Sequence, residues 1–393
     1  MKELSLYHKI AFGVLCLGAF TGTYLILPQL SFVRLGVLMV LVGLLFSSRV
    51  RLSSSFYVVS VFFLLYIAYT MAITIMYGHA VNVSNIANFF FIFLIVIALL
   101  WLFCSEPHQS MNFFYNVCCI NLVVSTILAG IELTTGWHLP MSNMHLPENV
   151  SHNLNFPTGF FNNTNDFSII VVLCYCFAMA YRINILKNKK RWGDYMLLAL
   201  CVACLCMTRC RTALMALALF GLFIQRKKLK RYKTLLGIIG VVFLVGAALA
   251  FFLVHNHSTS VRLNLYLYSF ASLLDSYCLG YGIGGDLYYY ASLDNYTQFG
   301  HIINIHSYIL HFLLTSGIIF FIGYIALLVY LMRKIAINHG RNEFWAMIPL
   351  YVLVLFAPSG SHFLWAQYLF FCSLVGYTCY HPMCEQKAIS VCS

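Results

Sequence analysis

Arg209 and Arg211 stand two residues apart in the otherwise apolar stretch CLCMTRCRTALMA, residues 204–216. A guanidinium stays charged at any relevant pH and presents paired N–H donors to phosphate oxygens. A helix predicted to begin near Thr212 would add backbone N–H groups and the positive end of a helix dipole. The pair therefore predicts an anion site. The alternative is a pair of arginines that reach lipid phosphates from a helix end.

Arg262 and His306 are two further candidates for chemistry. Arg262 is the only Lys or Arg between residues 255 and 306, and two arginines from different segments that met at one pocket would suit a diphosphate. Histidine is the side chain best suited to exchange protons near neutral pH, so His306 predicts proton transfer. The alternatives are a solvated loop charge for Arg262 and a helix-capping interfacial histidine for His306.

Polar side chains gather in FPTGFFNNTNDFSII, residues 156–170, where Asn163, Asn165 and Asp166 precede an apolar run. An Asn or Asp caps a helix start by default, which accounts for one of the three. All three together, flanked by two phenylalanines, resemble the rim of a sugar-binding site. No metal or cofactor site is predicted, because the histidines earlier in this loop form no HxH or HxxxH pair.

The sequence GYGIGG, residues 280–285, predicts a flexible turn that brings backbone N–H groups to a phosphate. No strand pattern precedes it, so it does not predict a dinucleotide fingerprint. The substrate-binding residues predicted in addition to the three polar ones above are Arg209, Gly280, Tyr281, Gly282, His301 and Tyr308.

The composition predicts the kind of fold that holds these residues in place. The chain has 393 residues, of which 62% are hydrophobic and 9% charged, and its mean hydropathy is +0.85. A soluble domain of this length has more polar surface. Apolar runs recur along the whole chain, which predicts an all-α polytopic membrane protein with residues 1–393 as one integral-membrane domain. The twelve predicted spans are 10–27, 33–47, 56–76, 86–104, 112–132, 167–183, 195–208, 212–225, 234–254, 307–332, 345–357 and 361–379.

Basic residues predict the orientation of these spans. With the N-terminus in the cytoplasm, the cytoplasmic segments hold 19 of the 23 Lys and Arg residues, as the positive-inside rule demands, and the C-terminus is cytoplasmic too. The net charge of +12 is then mostly a topology signal and indicates no nucleic-acid partner. Because the runs at 182–194 and 226–233 are both strongly basic, residues 195–225 should form a helical hairpin. Arg209 and Arg211 would lie at its outer tip.

Two outer loops are long, at residues 133–166 and 255–306. Within the second, Val261 to Tyr277 repeats apolar residues at helical spacing, which predicts an amphipathic helix along the outer membrane surface, before span ten. The cytoplasmic connections are short, so the chemistry is expected outside. Nearly all of the fifteen cysteines lie within predicted spans or at their cytoplasmic ends, so no disulfide framework is predicted.

Four segments together resemble the bacterial O-antigen polymerase and O-antigen ligase superfamily (the Wzy and WaaL types, including teichuronic-acid and capsule polymerases). They are PTGFFNNTNDF (157–167), TRCRTALMAL (208–217), VRLNLYLYSFASLLDSYCLGYGIGG (261–285) and IHSYILHFLLTSGIIFFI (305–322). In the second, Cys210 stands where a serine is usual, and in the fourth Ser307 replaces the usual asparagine. The likeness spans nearly the whole chain.

The resemblance implies a metal-independent glycosyltransferase of the bacterial cytoplasmic (inner) membrane that works on the outer face. Its donor would be an oligosaccharide linked to undecaprenyl diphosphate. By position, Arg211 and Arg262 would bind the diphosphate and His306 would activate or orient the acceptor hydroxyl. The implied partners are the lipid-linked donor and acceptor, membrane lipids and, as a further candidate, a chain-length regulator protein.

The polymerase of lipid-linked repeat units is the favoured function, because GWHLPMSN and PTGFFNNTND look more like the polymerase branch. The runner-up is a ligase that moves the finished glycan to lipid A core or to a protein. A transporter of lipid-linked oligosaccharides is disfavoured, because no charged residue is predicted deep within a span.

Overall fold

The computed structural model describes residues 5–21, 25–27, 30–46, 52–78, 83–139, 156–161, 164–186, 192–229, 257–284, 308–340, 347–348, 350 and 365–380. The described part of the chain is almost entirely helical. Its helices are α1 Leu6–Thr21, α2 Phe32–Phe46, α3 Ser54–Tyr77, α4 Val83–Ser105, α5 Pro107–Thr135, α6 Thr164–Tyr181, α7 Trp192–Thr208, α8 Arg211–Leu229, α9 His257–Asp275, α10 Tyr308–His339 and α11 Trp365–Cys379. A π-helical turn, Arg182–Leu186, continues α6.

By length and composition, these helices are those of a polytopic membrane protein. Five segments of the described chain are long and apolar enough to cross a membrane, and four shorter apolar helices accompany them. Ten of the twelve predicted spans coincide with helices. The other two, 234–254 and 345–357, lie wholly or largely outside the described residues. The count of twelve spans therefore stays a prediction.

The first predicted span ends earlier than expected. We predicted residues 10–27, but α1 ends at Thr21, and a two-stranded antiparallel hairpin follows, with β1 at Leu25–Leu27 and β2 at Leu30–Ser31. Leu25 and Leu27 pair with β2 in an extended conformation, so they cannot continue the helix. Pro28 follows β1, and the residue before a proline favours this extended conformation.

Two helices form the centre of the bundle. Nearly every described side chain of α6 and of α11 is buried, whereas α3 and α5 bury only one face. A helix that is apolar all round belongs in the middle of a bundle. The site described below lies beside the first turn of α6, and the surrounding helices hold this turn in place.

The predicted hairpin between residues 195 and 225 is confirmed. Helix α7 ends at Thr208, α8 begins at Arg211, and only Arg209 and Cys210 connect them. Arg209 adopts a left-handed backbone conformation, with φ of 53°. That conformation is uncommon for a residue other than glycine and makes the reversal tight.

The predicted helix of the second outer loop is also confirmed, as α9. Its serines at 269 and 272 are buried, as is Ser276 just after its end, while an apolar stripe is exposed. The exposed stripe consists of Leu267, Phe270 and Leu274, and Tyr277 beyond the helix end continues it. The small polar side chains therefore face the protein, and the apolar face points outward, as in a helix at a lipid surface.

Candidate functional site

A pocket of about 810 Å³ lies at the tip of the α7–α8 hairpin, beside the start of α6. Its polar lining includes Thr164, Asn165, Thr208, Arg209, Arg211 and Thr212. Both arginine side chains are exposed. Among the residues that the structure describes, neither guanidinium makes a hydrogen bond or an ion pair. Two cations thus line one pocket, and no described residue takes up their donors, which is the arrangement that an anion needs.

Cys210 anchors the turn between the two arginines. It is buried, and its carbonyl accepts the N–H of Leu214 at 3.1 Å, which starts α8. Its thiol donates to Asn165 Oδ1 at 3.3 Å and lies 3.3 Å from Thr212 Oγ1. Cys210 thereby joins the hairpin tip to the first turn of α6. A serine hydroxyl could make the same contacts, which fits the resemblance noted above.

Arg209 also contacts the segment that precedes α6. Its guanidinium carbon lies 5.5 Å from the centre of the Phe156 ring, within the range of a cation–π interaction. Below the arginines, Ser168 Oγ donates to Thr208 Oγ1 at 2.8 Å, which ties α6 to the end of α7. The pocket is therefore fixed from two sides, by the start of α6 and by the segment at residues 156–161.

Sequence analysis missed a buried carboxylate that holds this segment. Glu132, near the end of α5, is 2% exposed, and its Oε2 accepts the N–H groups of Thr158 at 2.7 Å and Gly159 at 3.1 Å. His138 Nδ1 lies 3.4 Å from the same oxygen and 3.3 Å from Thr158 Oγ1. One signal was available, because an acid at the end of an apolar span is costly unless it has a role.

The glycine-rich turn uses its backbone N–H groups within the protein. Gly280 donates to Ser276 Oγ at 3.2 Å, Tyr281 to the Leu314 carbonyl at 2.7 Å, and Gly282 to the Thr315 carbonyl at 3.0 Å. The N–H of Ile283 donates to Thr74 Oγ1 at 2.8 Å. Each of these four amides therefore already has a protein acceptor, and the predicted approach of this turn to a phosphate stays a prediction.

The glycines of this turn allow two backbones to touch. A Cβ on Gly280 would lie 2.5 Å from the Gly317 nitrogen, and one on Gly317 would lie 2.4 Å from the Cys278 carbonyl oxygen. Gly317 is also the kink of α10, with φ of 69° and ψ of −176°. Burial raises the pKa of the Tyr281 hydroxyl above its ordinary value, so this group is neutral at physiological pH.

The remaining predicted residues divide into two groups. Tyr308, at the start of α10, is 5% exposed and packs against Phe312 and Tyr324, and its predicted contact with substrate stays a prediction. Asp166 lies in the first turn of α6, next to Asn165.

The other predicted residues lie wholly or partly outside the described residues. Arg262 lies within α9, but its side chain is not described, and Asn163, His301 and His306 are outside the described residues entirely. The convergence of Arg211, Arg262 and His306 therefore stays a prediction. Among the described residues, no cluster of His, Cys, Asp or Glu could hold a metal ion.

The bundle and the arginine pocket define a class, a polytopic membrane protein with a cationic site at a helical hairpin. Residues 196–325 match a family model described as O-antigen ligase, and this region contains both arginines, α9 and the start of α10. The comparisons thus confirm the predicted resemblance to the O-antigen polymerase and ligase superfamily.

The chain is also similar to the teichuronic acid biosynthesis protein TuaE of Bacillus subtilis (strain 168). The two sequences are 25% identical over 268 residues, which cover 62% of this chain. The match covers 52%, about half, of the length of that relative.

Proposed function

We propose that this protein is a membrane glycosyltransferase that polymerises repeat units carried on undecaprenyl diphosphate, at the outer face of the bacterial cytoplasmic membrane. The observation that carries the proposal is the pocket at the α7–α8 tip, where Arg209 and Arg211 expose two guanidinium groups inside the family-matched region. A diphosphate bears charge that paired guanidinium groups can match. Twelve spans, with both termini cytoplasmic, would place this tip outside.

The reaction follows from the donor. The bond between the sugar anomeric carbon and the diphosphate oxygen breaks, and the acceptor hydroxyl oxygen forms the new bond to that carbon. Negative charge develops on the departing diphosphate, where fixed guanidinium groups stabilise it most effectively because water is scarce. Arg211 and Arg262 take this role, and His306 accepts or directs the proton that leaves the hydroxyl. No metal ion is invoked.

A second candidate function is transfer of a finished glycan to lipid A core or to a protein. The name of the matched family, O-antigen ligase, favours it, while the relative named for teichuronic acid biosynthesis is compatible with either function. Both reactions break the same donor bond and need the same diphosphate pocket, so that pocket does not distinguish between them. They differ only in the acceptor, which the outer loops would select.

Deletion of the gene in its host, followed by analysis of surface and lipid-linked glycan, separates the two functions. Loss of a polymerase leaves single repeat units on the acceptor. Loss of a ligase leaves long chains held on undecaprenyl diphosphate. Unchanged surface glycan together with unchanged lipid-linked intermediates would contradict both. A chain-length regulator, if it acts with a polymerase, would affect the length of the chains and not their presence.

A further inference from the structure

Glu132 is a buried acid whose burial needs a physical explanation. Its side chain is fully buried, and one of its oxygens, Oε1, has no hydrogen-bond partner among the described residues. A buried carboxylate is costly unless its oxygens are hydrogen-bonded. Its other oxygen accepts two backbone N–H groups and lies close to His138. The retained acid therefore has a specific structural purpose at this place.

The two N–H groups belong to the segment at residues 156–161, which passes over the start of α6. Gly159 in this segment has a φ of 57°, and a Cβ there would lie 2.5 Å from the Phe167 ring of α6. The N–H of Phe161 donates to the Thr158 carbonyl at 3.0 Å, which closes a turn. Glu132 on one side and Phe167 on the other thus fix the position of this segment.

The same segment carries the aromatic ring that faces Arg209. Phe156 precedes Thr158 by two residues, and its ring lies 5.5 Å from the Arg209 guanidinium carbon. Phe156 and Arg209 both line the pocket. A continuous path of contacts therefore runs from the Glu132 carboxylate, through the segment, to a cation of the pocket.

We propose that Glu132 is a positioning residue, which sets the placement of Arg209 toward the donor diphosphate by holding the 156–161 segment. This inference rests on the proposed function, because it assigns a diphosphate to the pocket. Glu132 itself touches neither the anion nor the reacting atoms. Its removal would release Phe156 and let the Arg209 side chain disperse among rotamers, which weakens binding and leaves the fold intact.

The test measures binding of undecaprenyl diphosphate to the full chain in nanodiscs. Glu132→Ala should raise the Kd about tenfold, as expected for loss of a buried charged acceptor. Glu132→Gln, which keeps an oxygen for both N–H groups, should restore most of the affinity. Asp194→Ala is the matched control, because Asp194 is also a largely buried acid but pairs with Arg182 at the opposite end of α7, about 20 Å away. Its Kd should equal that of the unmodified protein.

Double variants that include Arg209→Ala distinguish a positioning role of Glu132 from a general loss of protein stability. In an Arg209→Ala background, Glu132→Ala should produce no further rise in Kd, because the group through which it acts is gone. Phe156→Leu should weaken binding in the unmodified protein and do nothing in the same background. It also serves as the second variant if Glu132→Ala fails to fold.

The outcomes distinguish this inference from the proposed function. Additive effects of Glu132→Ala and Arg209→Ala would overturn the positioning role, as would an unchanged Kd in Glu132→Ala when Arg209→Ala weakens binding. An unchanged Kd in both Arg209→Ala and Arg211→Ala would overturn the diphosphate pocket itself, and the positioning role with it.

Discussion

The α7–α8 tip and the glycine-rich turn at residues 280–284 look equally suited to phosphate in the sequence, but the structure uses them differently. At the tip, two guanidinium groups line a pocket and make no hydrogen bond or ion pair among the described residues. In the turn, the N–H groups of four consecutive residues all donate to protein acceptors. A donor that is already satisfied cannot bind an anion without breaking a bond. Whether the hydrogen-bond donors are already paired within the protein, and not how many there are, therefore distinguishes an anion-binding site from a structural contact between helices.

The largest effect that tests this comparison is expected in the turn. Gly280→Ala would place an alanine in a left-handed backbone conformation, with φ of 83°, and its Cβ would lie 2.5 Å from the Gly317 nitrogen. The substitution should cost roughly 2–5 kcal/mol of folding free energy. Gly284→Ala is the control, since Gly284 has φ of 71° but no atom within 4 Å of the added Cβ, so it should cost about 1 kcal/mol.

Thermal unfolding in detergent measures both variants. If Gly280→Ala were as stable as Gly284→Ala, the turn would not be the tight joint described here, and a binding role for its amides would again be open.

The next effect is expected at the tip. Arg211→Lys keeps a positive charge but loses the paired donors, so surface polymer should fall at least about tenfold while folded protein stays at its normal level. Arg333→Lys is the control, because Arg333 is an exposed arginine near the C-terminal end of α10, outside the pocket. Immunoblots of surface glycan and of the protein check both quantities. Normal polymer in Arg211→Lys would mean that the tip does not need a guanidinium.

The smallest effect concerns the anchor between the two arginines. Cys210→Ser keeps a donor toward Asn165 Oδ1, so activity should change by less than about twofold. Cys210→Ala removes that donor and should lower activity about threefold. Polymer yield per folded protein measures the difference. Equal activity of the two variants would show that the contact between Cys210 and Asn165 does not shape the pocket.

The sequence predicts most of the helices, because apolar runs and basic flanks report directly on the membrane. It also places Arg209 and Arg211 at a hairpin tip, since two basic runs on the same side require an even number of crossings. The end of the first span at residue 27 was wrong, because residues 25–27 form a strand. Hydropathy does not distinguish a short apolar strand from the end of an apolar helix.

The finer structure of the site could not be predicted from sequence. The partners of Glu132, at Thr158 and Gly159, lie 26 and 27 residues further along the chain, and no local pattern connects them. The acceptors of the glycine-rich turn come from α3, α10 and Ser276, the residue after α9, so their use depends on how these helices pack. Long-range contacts of this kind are set by the packed bundle.

The role of the two arginines can be measured by comparing the binding of undecaprenyl diphosphate and of uncharged undecaprenol to the protein and to its Arg209→Ala/Arg211→Ala double variant. The double variant should bind the diphosphate at least about thirtyfold more weakly, while binding of undecaprenol is unchanged. Equal affinity of the two proteins for the diphosphate would contradict this role.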